Sequence, residues 1–118
     1  MRVLIAELRP EVRRALKILL ETQPDLDVVG EAINQAELLL QAKTTCPGLV
    51  LLDNTLINEQ MDKLIPTLHN FECKPAVIVL SVRAEVEQPA LNAGADAFVL
   101  KGAPPKTLLI AIEAIRLR

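Results

Sequence analysis

Six residues, GLVLLD at 48–53, constrain the fold of this chain more than any others. The run is continuously apolar and then ends on an acid. A strand with one covered face alternates apolar and polar residues. An unbroken run is expected where both faces are covered, as in a parallel sheet wrapped by helices. AVIVLS at 76–81 repeats the pattern and ends on a hydroxyl, and ADAFVL at 95–100 repeats it and runs into Lys101. RVLIA at 2–6 and LDVVGEA at 26–32 bring the predicted strands to five.

Segments of helical period lie between them. Pro10 opens the first, where a missing N–H is harmless, and Val12, Leu16, Leu19 and Leu20 fall on one face before Thr22-Gln23-Pro24 ends it. Asn34 is a good N-cap for the second, which carries Leu38, Leu39 and Leu40 and stops before Pro47. Further helices are predicted over 59–69, over 84–93 up to Gly94, and over 104–118. With no linker and no repeat, this alternation predicts one α/β domain over residues 1–118, a doubly wound parallel sheet in the order 2-1-3-4-5.

Composition removes several functions. The formal net charge of −2 offers no basic surface for nucleic acid, and no recognition helix is left over, so no direct nucleic acid contact is expected of this chain. Every apolar run is too short for a membrane span or a signal peptide, which predicts a cytoplasmic protein. Cys46 and Cys73 lack metal-ligand spacing and are expected as two free thiols, and His69 as a solvated helix end. Only four glycines are present, none in a glycine-rich loop after a strand, and there is no Trp or Tyr to sandwich a flavin. No residue is therefore assigned to an organic cofactor.

In an open parallel sheet the site lies beyond the carboxyl ends of the strands. The polar residues there are Glu7, Asp53, Ser81 and Lys101. A carboxylate beside a lysine and a hydroxyl suits a phosphoryl group. Asp53 can act as the nucleophile, forming an acyl phosphate. Lys101 supplies a point charge to the phosphoryl oxygens and Ser81 a hydrogen bond. Mg²⁺, held by carboxylates, normally offsets the repulsion between donor and acceptor.

PGLVLLDN around Asp53, VIVLS ending in Ser81, AGADAFVLKG ending in Lys101 and APPKTLLIAI in the last helix together resemble the receiver domains of two-component response regulators. Lys101-Gly-Ala-Pro-Pro is similar to receivers that precede a LuxR-type output domain. The resemblance implies a flavodoxin-like (βα)5 fold. It also implies a regulatory phosphoacceptor rather than an enzyme, with Asp53 taking phosphate from a histidine kinase. Ser81 and Phe98 match the switch hydroxyl and aromatic, Lys101 the phosphate-sensing lysine, and the Thr55 carbonyl a metal ligand. A DNA-binding output domain in the same protein is implied as well.

The sequence departs from that pattern at residues 7–8. The family carries an acidic pair there; this chain has Glu7-Leu8. Leu8 replaces the acid that touches the metal and is expected as an apolar wall in the pocket, leaving a weak Mg²⁺ site of Glu7, Asp53 and Thr55. It also relieves carboxylate repulsion, so Asp53 is expected to pair with Lys101 without metal. Two readings follow: a phosphorylated receiver, and a phosphorylation-independent pseudo-receiver used for protein interaction. Glu59 reads as a capping charge on the third helix. Ile18, Ile110 and Leu117 are predicted on outer helix faces, where they suit a homodimer through the first and last helices or the seat of an output domain.

Overall fold

The computed structural model describes residues 1–57 and 60–118. Its centre is an all-parallel sheet in the order β2-β1-β3-β4-β5. The strands are β1 (Arg2–Ala6), β2 (Asp27–Ala32), β3 (Leu49–Asp53), β4 (Ala76–Ser81) and β5 (Ala97–Leu100). Between and after them come α1 (Pro10–Glu21), α2 (Gln35–Thr45), α3 (Met61–His69), α4 (Glu87–Asn92) and α5 (Pro105–Arg116). The predicted doubly wound topology is the observed one. Glu59 lies outside the described residues.

Strand alternation divides the core in two. Leu4, Val50, Leu52, Val77 and Val79 face Leu38, Leu64, Ile65 and Ala90 of α2, α3 and α4. Val3, Ile5, Leu49, Leu51 and Ile78 face Leu20 of α1 and Leu108, Ile112 and Ile115 of α5. Every residue of β3 and β4 is buried, as two-sided cover requires. The α1 side is looser than its periodicity suggests. Only Leu20 of α1 is buried, and Val12, Leu16 and Leu19 line an apolar groove of about 700 Å³ shared with Val99 and Leu108.

Two local expectations need correction. The predicted helix over 84–93 is a 3-10 turn, Ala84–Val86, followed by the short α4. Pro89 has no N–H to donate to residue 85, which takes one bond from an α-helix begun at Ala84. Cys46 and Cys73 are joined as a disulfide, with Cα atoms 5.5 Å apart, and are not free thiols. The cause is register: Leu49 of β3 pairs with Ala76 of β4, and each cysteine stands three residues ahead of its strand.

Candidate functional site

Each predicted polar residue stands at the carboxyl end of its strand. Glu7 follows β1, Asp53 ends β3, Ser81 ends β4 and Lys101 follows β5. Because β1, β3, β4 and β5 are neighbours, the four converge on one edge. Glu7, Asp53 and Ser81 are the buried polar residues among those described, at 0%, 2% and 0% exposure. Nearly all other buried positions are apolar, so this concentration marks the site.

Lys101 joins the two acids. Its ammonium donates to Glu7 Oε1 at 2.5 Å and lies 2.9 Å from Asp53 Oδ1. Burial by itself would lower the Lys101 pKa, but the hydrogen bonds to Glu7 and Asp53, with their charges, outweigh it and hold the pKa above its ordinary value. The remaining oxygens are also engaged. The Arg9 N–H donates to Glu7 Oε2 at 3.0 Å, and the Thr55 hydroxyl donates to Asp53 Oδ2. Ser81 Oγ accepts from the Arg83 N–H at 3.0 Å, and the Lys101 N–H donates to the Ser81 carbonyl at 2.8 Å. Phe98 is half-buried and packs against the core beneath α4.

Leu8 is not the apolar wall predicted for it. It is 56% exposed, while Glu7 is the side chain that turns inward. The turn chemistry explains this. The Glu7 N–H still continues the ladder to the Ala32 carbonyl. Arg13 then donates to the Glu7 and Leu8 carbonyls at 2.9 and 3.2 Å. With its backbone drawn toward α1, Leu8 is left facing water. Sequence reasoning missed these supporting groups: Arg9, Arg13 and the hydroxyl of Thr55. No sequence signal pointed to them, since the side chains that commonly cap the N–H two residues on are Asn, Asp, Ser and Thr, not Glu.

With Lys101 in this position, no carboxylate oxygen of the pair is free for a divalent cation. Two carboxylates face each other, and the Lys101 ammonium already lies between them. Among the described residues no group of three or more His, Cys, Asp or Glu stands close enough to hold a metal. Mg²⁺ is usually bound through carboxylates with phosphate oxygens and waters. Here every carboxylate oxygen of the pair has a protein donor. Ile18 and Ile110 are exposed on α1 and α5, as expected, and Leu117 is exposed just past the end of α5. No described helix is long and apolar enough to cross a membrane.

His69 is not merely a solvated helix end. Its Nε2 lies 2.9 Å from Asp96 Oδ2, at the opposite end of the sheet from the carboxylate pair.

The chain is similar to several known proteins. It is 35% identical over 113 residues to the uncharacterised transcriptional regulatory protein YhcZ of Bacillus subtilis, covering 92% of this chain and 52% of that protein. It is 31% identical to the nitrate/nitrite response regulator protein NarL of Escherichia coli K12, covering 94% of this chain and 52% of that protein. The chain thus spans about half the length of the curated relatives it matches. Among solved structures, a LuxR-family two-component response regulator from Aurantimonas sp. superposes with a TM-score of 0.85 at 27% identity, over 97% of this chain and 83% of that one. The family model for the response regulator receiver domain matches residues 3–113, and the chain belongs to that family.

Proposed function

We propose that the chain is the receiver module of a transcription-regulating signalling protein of the cytoplasm, and that it works without metal-dependent phosphorylation. One observation carries this reading: Lys101 bridges the buried Glu7 and Asp53 while Leu8 faces solvent. One ammonium thus offsets half of the pocket's two carboxylate charges from within. The pocket's conformation is then held by the ion cluster, and its output is contact with other proteins. The likeness to LuxR-type regulators supports a DNA-binding output domain elsewhere in the same protein. The exposed Ile18 on α1, Ile110 on α5 and Leu117 just past α5 suit either a second copy or that domain.

A second reading has its own support. Asp53, Ser81 and Lys101 stand on adjacent strand ends, a suitable cradle for an acyl phosphate. In it a histidine kinase phosphorylates Asp53, Ser81 follows the phosphoryl group and Phe98 moves with it. Mg²⁺ would then require Lys101 to move aside and would rest on Glu7, Asp53 and the Thr55 carbonyl.

Incubation with a small acyl-phosphate donor and Mg²⁺, read by intact mass, separates the two. The first reading expects no phosphoryl gain in the native chain. It expects a gain, and tighter Mg²⁺ binding, in Leu8→Asp, the gain abolished and the binding weakened by adding Asp53→Ala. A phosphoryl gain in the native chain that Asp53→Ala abolishes overturns the first reading and establishes the second.

A further inference from the structure

We infer that Cys46 and Cys73 form a reversible redox site, a dithiol–disulfide couple that exchanges with small thiols and disulfides and sets the stability of the α2–α3 side of the domain. It lies at the opposite end of the sheet from Asp53 and does not depend on how that residue is used. The two Cα atoms are 5.5 Å apart, within the span a disulfide closes without backbone movement. Cys46 is an exposed residue and Cys73 a half-buried one, so Cys46 is the side from which a reagent in solution approaches.

The backbone at Cys46 gives an independent reason. It ends α2 in the left-handed region, at φ 52° and ψ 58°. Glycine is the usual residue there, because a Cβ is disfavoured in that conformation. A cysteine that accepts this conformation and meets a second cysteine is placed for its sulfur. Contacts other than the disulfide also tie the two segments together. The Ala76 N–H donates to the Gly48 carbonyl at 2.9 Å, and the Lys43 ammonium lies 5.4 Å from the centre of the Phe71 ring. The dithiol is therefore pre-organised to close again.

The exchange balances without a metal. In oxidation, the Cys46 thiolate attacks a low-molecular-weight disulfide, forming a mixed disulfide and releasing one thiolate. The Cys73 thiolate then attacks the Cys46 sulfur and expels the second. Two thiols lose two electrons and two protons, and the small disulfide becomes two thiols. Reduction is the reverse, beginning with attack of an external thiolate on the Cys46 sulfur.

The test is a titration of the native chain in glutathione mixtures from fully oxidised to fully reduced. Thiols are counted by alkylation and mass, and Tm is measured in each mixture. The chain has two cysteines, so the expected count moves from none to two in one transition. Tm should fall by roughly 10 °C on reduction, the effect of removing a typical cross-link from a domain this size. Cys46→Ser and Cys73→Ser should each remove the redox dependence of Tm. Two alkylatable thiols in every mixture, a bond that excess reduced glutathione never opens, or a Tm that is the same in both states would each overturn the inference. Phosphodonor experiments on Asp53 report on a different end of the sheet, so the two readings fail separately.

Discussion

Lys101 stands between Glu7 and Asp53, two carboxylates buried almost completely. Removing its charge leaves both acids unpaired, which costs about 3–5 kcal/mol when one partner of a buried pair is lost. Lys101→Met should therefore lower the urea midpoint sharply at pH 7, and adding Asp53→Asn should restore much of it. A Lys101→Met variant as stable as the native chain would refute the pairing. The same cluster has an alkaline signature. The native Lys101 pKa is raised, so its contribution is whole below the unfolded-chain value of about 10.4 and fades as pH climbs through the native value. The native chain should lose stability above that point more steeply than Lys101→Met. The four polar residues were legible because each ends or directly follows an apolar strand. The direction of Leu8 was not, because it depends on Arg13 reaching back to two carbonyls.

The elements were legible wherever a single local rule decided them. Pro10 opens α1, the Asn34 side chain accepts from the Glu37 N–H at 2.8 Å to start α2, and Gly94 closes the passage from α4 to β5. Gly94 has φ +104°, a conformation side chains disfavour, while a Cβ there would meet Ile65 at an ordinary 3.7 Å. Gly94→Ala should thus cost about 1–2 kcal/mol from backbone strain alone, seen as a reduced denaturation midpoint with an unchanged m-value. No loss would mean the turn relaxes to another conformation. What was not legible spans two elements. The Cys46–Cys73 link depends on the register of β3 against β4. Sequence order separates the cysteines by 27 residues and is silent on pairing. The register, once known, brings them side by side. The groove beside α1 escaped for a similar reason: periodicity shows which face turns inward, not how fully a neighbour covers it.

Across the whole molecule the sheet has two chemically different ends. One carries the Glu7–Lys101–Asp53 cluster, and the other is tied by Asp96 at the start of β5. Asp96 Oδ2 accepts from the Val77 N–H at 2.7 Å and lies 2.9 Å from His69 Nε2, while Oδ1 accepts from Arg118 at 2.8 Å. One carboxylate thus joins β4, β5, the end of α3 and the chain beyond α5. Burial alone would raise its pKa, but the Val77, Arg118 and His69 hydrogen bonds prevail and lower it. A depressed native pKa makes its contribution whole above the unfolded value of about 3.9, and the contribution is lost as pH falls through the native one. Asp96→Asn should cost about 2–3 kcal/mol at pH 7, the scale of hydrogen bonds to a charged group. The gap between variant and native chain should then close as pH drops below 4, because protonation removes the same charge from the native protein. Urea midpoints from pH 3 to 7 measure this directly, and a gap that stays constant would show that Asp96 acts through shape and not through charge. The Glu7 cluster is untouched by that substitution, so its alkaline signature should persist in Asp96→Asn. The acid and alkaline limbs of the stability curve would then report separately on the two ends of one sheet.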